Sequence, residues 1–245
     1  MGVETFTFFW DVMPDIIARV KTAGARVLHQ IGTVEAARQA EAAGADVLIA
    51  QGVEAGGHIH GEVAMLSLVE ALAARSTLPV VASGGIASGA GLVAALAAGA
   101  QGVQIGTAFL ATVESYAHEY HKDRVVAAEA GDTLRTDLFV LNWPAHSAVR
   151  VLANSTTKGL GYRPMGHDPD QLPREVIASE GARPIYRYST DSPIRETTGN
   201  LEAMALFAGQ GVGAVTDIPT AGERLRAILA EGRAVLARLA EQGRP

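Results

Sequence analysis

Three copies of one short unit constrain the fold of this chain more than any other feature of its sequence. In each copy, a stretch with helical hydrophobic spacing ends in Ala-Gly-Ala and is followed by a short, mostly apolar run. These runs occupy residues 27–31, 47–50 and 103–105. Glycine just past a helix readily adopts the left-handed conformation that leads the chain into a strand. The repeat therefore predicts alternating helices and strands.

Two further apolar runs, at residues 4–10 and 79–83, also read as strands. Thr33 and Ser88 precede helical stretches, and both are residue types that accept a hydrogen bond from the first turn of a helix. Short apolar strands separated by helices are typical of a parallel sheet that is covered on both faces. Residues 1–115 are therefore predicted to form an α/β portion with about five parallel strands.

The pattern changes after residue 115. Residues 116–199 contain most of the prolines and show no βα repeat, so they are predicted to form an irregular cap or subdomain. Residues 200–245 return to helical spacing and are predicted to form C-terminal helices that pack on the α/β portion. The longest of them is predicted at residues 219–239, with aliphatic side chains along one face.

The composition excludes several classes of protein. The chain has 245 residues, of which 48% are apolar and 19% are charged, as in a packed globule. The absence of cysteine excludes disulfide scaffolds and thiolate metal sites. A net charge of -6 argues against a broad contact with nucleic acid, and no apolar run is long enough to span a bilayer. We therefore expect a cytoplasmic protein that binds neither nucleic acid nor membranes.

Glycine-rich segments follow three of the predicted strands. The residues of these segments that could contact a ligand are Gln51, Gly56, Gly57 and His58 after the second strand of the repeat, Gly84 and Gly85 after residues 79–83, and Gly106 and Thr107 after residues 103–105. The carboxyl ends of parallel strands share one edge of a sheet, where ligands bind. Paired glycines let backbone N–H groups approach an anion closely. Together the segments predict a phosphate site, although each glycine pair alone is also typical of a tight turn.

The histidines are the remaining candidates for acid–base chemistry. His58 closes a glycine-rich segment, so it is interpreted as a base beside the ligand, with a buried core histidine as the alternative. His60 is interpreted as a solvated neighbour, and because the pair lacks a third ligand, no metal site is predicted. His118 and His121 lie in a charged stretch that is predicted to be exposed to solvent.

Four aromatic residues could line an apolar pocket beside these segments. They are Phe8, Phe9, Trp10 and Trp143. Aromatic side chains are more often part of the core, so that alternative stays open. The chain contains no nucleophile elbow and no Walker or dinucleotide-binding motif.

The glycine-rich segments resemble those of a known family. Residues 51–58 read Gln-Gly-Val-Glu-Ala-Gly-Gly-His, residues 79–86 read Pro-Val-Val-Ala-Ser-Gly-Gly-Ile, and residues 102–110 read Gly-Val-Gln-Ile-Gly-Thr-Ala-Phe-Leu. These segments are similar to the FMN-binding core of the nitronate monooxygenases, also called 2-nitropropane dioxygenases. The resemblance runs through nearly the whole chain and implies a TIM-type (β/α)8 barrel with an added helical or irregular subdomain and one non-covalently bound FMN.

The same resemblance implies a site and a reaction. His58 would face the substrate beside the flavin as the catalytic residue. FMN contacts are implied for a set of strand-end residues, namely Gln51, Gly56, Gly57, Gly84, Gly85, Gln104, Ile105, Gly106 and Thr107. The implied reaction converts an alkyl nitronate, or its parent nitroalkane, and oxygen to a carbonyl compound and nitrite. The alternatives are an FMN-dependent enoyl-acyl carrier protein reductase that uses NAD(P)H and a truncated, non-catalytic flavin-fold protein.

The chain departs from the family in one respect. A full barrel has eight strands, whereas about five are predicted here, and the match begins at what resembles the fourth. An incomplete barrel is therefore expected, with residues 4–10 as an apolar edge that has unpaired backbone groups. The sequence leaves open whether the chain is a fragment, a homo-oligomer, or a shortened form that a partner completes. Poor solubility of the chain alone is the expected consequence.

Overall fold

A computed structural model of the chain describes residues 2–159 and 163–243. Its strands are β1 (Thr5–Phe9), β2 (Arg26–Ile31), β3 (Val47–Gln51), β4 (Gly57–Ile59), β5 (Val80–Ser83), β6 (Gly102–Gln104), β7 (Thr133–Thr136), β8 (Ala148–Leu152), β9 (Val176–Glu180), β10 (Arg183–Tyr186) and β11 (Thr197–Gly199). Its helices are α1 (Pro14–Thr22), α2 (Val34–Ala43), α3 (Met65–Ala73), α4 (Gly89–Ala97), α5 (Thr107–Leu110), α6 (Glu119–Val126), α7 (Ser155–Gly159) and α8 (Ala221–Gln242). Short 3-10 turns occur at Ala130–Asp132, Pro169–Gln171, Leu201–Ala203 and Gln210–Ala214.

Five of the first six strands form one parallel sheet, in the order β1-β2-β3-β5-β6. Parallel strands need a crossover, and α1 to α4 provide it between successive members of the sheet. The prediction of an α/β portion with about five parallel strands is confirmed. The central strands are the most deeply buried, with Leu48, Ile49 and Ala82 at most 1% exposed, because helices pack on the sheet.

The helix boundaries follow the predicted capping residues. Thr33 Oγ1 accepts a hydrogen bond from Ala36 N at 3.0 Å, and Ser88 Oγ accepts one from Gly91 N at 3.1 Å. Gly44 ends α2 with a φ of 99°, a conformation that costs glycine little and other residues more. These caps satisfy N–H and C=O groups that the helices leave unpaired, and so they fix where α2 and α4 begin and where α2 ends.

The described residues group into two compact units. The first, called unit one, comprises the described residues up to Glu54, His60–Gln104, and those from Ala230 onward. The second, called unit two, comprises Ala55–Ile59 and Ile105–Leu229. Unit one contains the parallel sheet. The domain boundaries predicted from the sequence, after residues 115 and 199, remain predictions.

Unit two contains two antiparallel sheets that the sequence analysis did not foresee. Their strand orders are β4-β8-β7 and β10-β9-β11. The strands are three to five residues long and interrupted by prolines and glycines, so they show too little alternation to be recognised. A cluster of buried side chains that includes Phe139, Val140, Val149 and Val151 forms a core of this unit.

The C-terminal helix is present, but its leucines do not behave as its apolar spacing suggests. Ile228 is buried, whereas Leu225, Leu229, Leu236 and Leu239 are 42 to 51% exposed. The spacing of apolar residues shows that a helix has an apolar face. It does not show which part of that face packs against the rest of the protein. None of the helices in the described part of the chain is long and apolar enough to cross a membrane.

Strand β1 is an edge of the parallel sheet. Among the described residues it pairs only with β2, and Phe6 on it is 37% exposed. An open strand with an exposed aromatic side chain favours self-association. Poor solubility of the chain alone therefore stays our prediction. Sedimentation should show oligomers or aggregates, and a monodisperse, cooperatively melting monomer would contradict it.

Candidate active site

Three polar residues form a row at the carboxyl edge of the sheet in unit one. Gln51 on β3 is in register with Ser83 on β5, and Ser83 is in register with Gln104 on β6. Residues in register on parallel strands present their side chains to the same face. Gln51 and Ser83 are buried and Gln104 is exposed. Gln104 Nε2 donates to Gln30 Oε1 at 2.9 Å, so an amide-lined edge extends onto β2.

The loop after β3 is fixed by a residue that the sequence analysis missed. Both carboxylate oxygens of Glu54 accept from Met65 N, at 3.2 and 3.0 Å, at the first residue of α3. The N-cap position of α3 is Ala64, which has no side-chain acceptor, so Glu54 replaces it from 11 residues away. The missing cap at Ala64 was the available signal. Gly52 N also donates to Ser83 O at 2.9 Å, which ties this loop to β5.

The turn after β5 requires its two glycines. Gly84 and Gly85 have φ values of 106° and 70°, in the left-handed region that other residues enter at a cost. A Cβ on Gly85 would lie 3.1 Å from Glu54 Cβ, so the turn and the loop after β3 approach each other closely. This turn presents backbone groups at the same strand ends as the polar row.

The first backbone N–H groups of α4 already have acceptors within the chain. Gly89 N donates to Glu231 Oε2 at 2.8 Å, and Gly91 N donates to Ser88 Oγ. Backbone N–H groups at a helix start attract anions when they are unpaired, and here the carboxylate of Glu231 on α8 already accepts from those of Gly89 and Ala90. The Gly84–Gly85 turn is therefore the better candidate for phosphate contacts in unit one.

The glycines of unit two differ in how much space surrounds them. A Cβ on Gly56 would lie 2.5 Å from Gly209 N, so this position allows only glycine without a backbone shift. Gly57, with a φ of 73°, and Gly106 have no atom within 4 Å of an added Cβ. Thr107 Oγ1 accepts from Gly209 N at 2.9 Å. Ile105 lies just past β6, although the sequence analysis placed the end of this strand at residue 105.

His58 is the central residue of β4 and pairs with Val149 of β8. Its ring centroid lies 4.1 Å from that of Trp143, at an interplanar angle of 36°, and 5.9 Å from that of Phe207. Its Nε2 is buried. Burial lowers the pKa of His58 to about 4, because the protonated ring loses hydration among apolar groups. The imidazole is therefore neutral at pH 7.

His121 corrects the prediction that the stretch around it is exposed. Both His121 and Lys122 are at most 1% exposed, since α6 turns this face inward. His121 Nε2 lies 3.1 Å from Phe207 O, which can only accept, so this nitrogen carries the proton. Burial lowers the pKa of His121 to about 4. His118 serves instead as the N-cap of α6, accepting from Tyr120 N at 3.0 Å.

His60 is also less solvated than predicted. Its Nδ1 is buried, its ring centroid lies 5.0 Å from that of Trp10, and its backbone N donates to Gln51 Oε1 at 3.3 Å. Trp10 has a φ of 82°, which is unusual for a residue with a bulky side chain. Within residues 2–159 and 163–243, no group of three or more histidine, aspartate or glutamate side chains is arranged to hold a metal ion.

We expect Gly56→Ala to destabilise the protein. The added Cβ meets backbone atoms of residues 208 and 209, which cannot rotate away, and such overpacking costs about 1–3 kcal/mol. Gly131→Ala is the matched control, because a Cβ there meets nothing within 4 Å. Denaturant unfolding should show a lower midpoint for Gly56→Ala only. Equal midpoints for the two variants would contradict the close approach.

Acid is expected to destabilise the fold below pH 6.5. The pKa values of His58 and His121 are about 4 in the folded protein, whereas an unperturbed histidine, as in the unfolded chain, has a pKa of about 6.5. Between these values the unfolded chain binds protons that the folded chain does not, so stability is complete above pH 6.5 and falls towards pH 4. One buried group contributes a slope of about 1.4 kcal/mol per pH unit. Thermal melts from pH 7.5 to 5 should show this fall, and His121→Gln should reduce its slope.

The parallel sheet, the helical crossovers and the glycine turns at the strand ends define an α/β protein of the TIM-barrel class. The structure is similar to that of FabK from Thermotoga maritima, with a TM-score of 0.79 and 30% identity over 97% of this chain and 70% of that chain. It is also similar to nitroalkane oxidase from Streptomyces ansochromogenes, with a TM-score of 0.76 and 34% identity over 97% of this chain and 66% of that chain.

The amino-acid sequence gives the family. The family model for nitronate monooxygenase matches residues 2–231. The chain is 36% identical over 234 residues to a nitronate monooxygenase of Pseudomonas aeruginosa, covering 89% of this chain and 60% of the relative. The chain therefore belongs to the nitronate monooxygenase family. It spans 55 to 60% of the length of the first curated relatives that it matches.

Proposed function

We propose that the protein is an FMN-dependent oxidoreductase that converts an alkyl nitronate and oxygen to a carbonyl compound and nitrite. The observation that carries this proposal is the polar row Gln51, Ser83 and Gln104, which ends beside the Gly84–Gly85 turn. Ligands of parallel α/β proteins bind at such strand ends. Membership of the nitronate monooxygenase family supports the choice of reaction.

Each unit, taken by itself, offers residues that suit a flavin mononucleotide. In unit one, the amides of Gln51 and Gln104 offer donors and acceptors for a flavin ring, and the Gly84–Gly85 turn offers backbone N–H groups for the phosphate. In unit two, Gly57 and Gly106 leave open the space that a Cβ would fill, and Thr107 adds a hydroxyl. FMN would supply the redox chemistry, accepting electrons from the nitronate and passing them to oxygen.

His58 is proposed to act on the carbon acid. A neutral nitroalkane must lose a proton before it is oxidised, whereas a nitronate has already lost it. The low pKa of His58 keeps the ring in its proton-accepting form at neutral pH, but it also makes the ring a weaker base. The rings of Trp143 and Phe207 lie beside the imidazole, whose Nε2 is buried.

FMN binding is the first test of this proposal. The purified chain is titrated with FMN while flavin fluorescence is recorded, and the visible spectrum of the protein is compared with and without added FMN. Saturable binding at one site per chain is expected. A colourless protein without saturable binding would contradict the proposal and favour a non-catalytic flavin-fold protein. Flavin reduction by NAD(P)H faster than by nitronates would instead favour the enoyl reductase alternative.

A further inference from the structure

Strand β1 directs alternate residues towards β2 and away from it. In a parallel pair, the N–H and C=O groups of one residue face the same side of the strand, and those of the next residue face the other side. Arg26 N of β2 donates to Glu4 O at 2.8 Å, so Glu4 and every second residue after it face β2. The residues of β1 that face outward are therefore Thr5, Thr7 and Phe9. In the described part of the chain, no strand pairs with β1 on that side.

The outward edge of β1 carries none of the features that usually keep strands of different molecules apart. Edge strands are commonly protected by lysine, proline or a β-bulge. Strand β1 reads Thr-Phe-Thr-Phe-Phe, without charge or proline, and it pairs with β2 without a register shift. Strand β6, at the other edge of the sheet, has three residues and offers fewer backbone groups. Strand β1 is therefore the edge of this sheet that is better suited to accept another strand.

The residues of β1 match those of a second copy that runs antiparallel to it. When Thr7 lies opposite Thr7 of the copy, Thr5 lies opposite Phe9, so every outward residue belongs to a pair that exchanges two backbone hydrogen bonds. A register shifted by two residues leaves one outward residue without a partner. The matched register also places Phe6 opposite Phe8 of the copy, and such cross-strand pairs of aromatic rings stabilise a sheet.

Charge and exposed apolar surface also favour a second copy as the partner. The carboxylates that flank β1, Glu4 and Asp11, lie opposite residues 10 and 3 of the copy in this register, so no like charges meet. Val3 and Phe6 are 67 and 37% exposed, and a copy paired along the strand covers part of that surface. A five-residue edge buries less than the roughly 1,200 Å² of a stable interface, so we expect a weak dimer with a Kd of about 1–100 μM.

We propose that two copies of this chain associate across a two-fold axis through antiparallel pairing of β1, with Thr7 on the axis. The pairing joins the two parallel sheets into one continuous sheet. A two-fold contact uses the same surface on both copies and is therefore closed, so the product is a dimer and not a filament. This inference is independent of the proposed reaction, because it concerns an edge of the sheet and requires neither flavin nor substrate.

Charges placed on the axis test the pairing. Thr7 is exposed, so lysine or glutamate is tolerated there, but each variant sets two like charges about 5.5 Å apart in the dimer. Sedimentation velocity should show a dimer for the unmodified protein and a Kd at least about 10-fold weaker for Thr7→Lys and for Thr7→Glu. An equal mixture of the two variants should recover the dimer, because unlike charges then meet, and this recovery also shows that both variants are folded.

The control for the added charge is Thr198→Lys. Thr198 is an exposed threonine on β11, an edge strand of another sheet, so its substitution should leave the Kd unchanged. A monomer at every concentration of the unmodified protein would overturn the proposal. Association that both Thr7 variants retain, as a dimer or as larger assemblies, would also overturn it, as would a mixture that stays monomeric.

Cross-linking tests the register directly. The chain has no cysteine, so Thr7→Cys introduces a single thiol, and the register sets the two Cα atoms at this position about 5.5 Å apart. In Thr5→Cys the two thiols are four residues apart along the strands, about 14 Å. A short bifunctional thiol reagent should therefore link Thr7→Cys into a covalent dimer in much higher yield than Thr5→Cys. Equal yields for the two variants, or no covalent dimer from either, would overturn the pairing.

Discussion

His58→Asn is expected to retain FMN and to slow the turnover of neutral nitroalkanes by about 100-fold, because a positioned base contributes about 10²–10⁴-fold to proton removal. We expect the lower end of this range, since burial lowers the pKa of His58 to about 4 and weakens it as a base. Pre-formed nitronates need no proton removed and should lose much less. Steady-state rates for the two forms of one substrate make the comparison, and equal losses would rule out the base while leaving a binding role.

The pH dependence of the unmodified enzyme gives an independent check on His58. The ring is neutral above its pKa of about 4, so the rate with a neutral nitroalkane should not fall between pH 8 and 6 because of this residue. Protonation near pH 4 removes the base, and the rate should fall there. An inflection near pH 6.5, the ordinary pKa of histidine, that disappears in His58→Asn would show that the imidazole is solvated during catalysis.

Gly85→Asp is expected to abolish most FMN binding. Two unit charges about 4 Å apart near a protein surface repel by about 4 kcal/mol, and partial screening by water leaves an affinity loss of about 100-fold. The carboxylate would stand in the turn that we assign to the phosphate. The dissociation constant of FMN, from the fluorescence titration, is the measurement.

Gly85→Asn is the matched control for this substitution. It has nearly the shape of aspartate, meets the same Cβ contact with Glu54 at 3.1 Å, and adopts the same φ of 70° at a similar cost. Any loss that the two variants share reports strain in the turn. The additional loss in the aspartate variant reports the phosphate. Equal dissociation constants for the two variants would contradict the assignment of the phosphate to this turn.

The parallel sheet was predictable because its signals are local. The Ala-Gly-Ala units, the apolar runs and the caps Thr33 and Ser88 each act within one βα unit, and all indicate the same architecture. The identity of the strand-end loops followed from the same pattern, since each loop begins where an apolar run ends. Only the ends of the strands differ from the prediction; β6, for example, begins and ends one residue earlier than predicted.

The antiparallel sheets and the surroundings of His58 were not predictable in the same way. Strand β4 has three residues, two of which belong to the Gly-Gly-His segment, and it exists because β8 pairs with it some 90 residues later. The rings of Trp143 and Phe207 meet His58 only through that pairing. No local period encodes such contacts. Long-range partners also explain why His121 is buried although it lies in a charged stretch.

The side chains that cap the starts of α3 and α4 could not be predicted from the sequence either. Glu54 caps α3 from the loop after β3, and Glu231 caps α4 from α8. A sequence window around either helix contains neither carboxylate. The absence of a capping side chain at Ala64 indicates that an acceptor is needed, but it does not identify the residue.

The most direct test of the proposed reaction is anaerobic mixing of the FMN-loaded chain with ethyl nitronate. If the protein oxidises nitronates through its flavin, the visible absorbance of the bound flavin should be lost on mixing and should return when oxygen is admitted, with nitrite formed. NADPH in the same apparatus should reduce the flavin more slowly than the nitronate does. A flavin that keeps its absorbance with the nitronate, whether or not NADPH bleaches it, would contradict the proposed function.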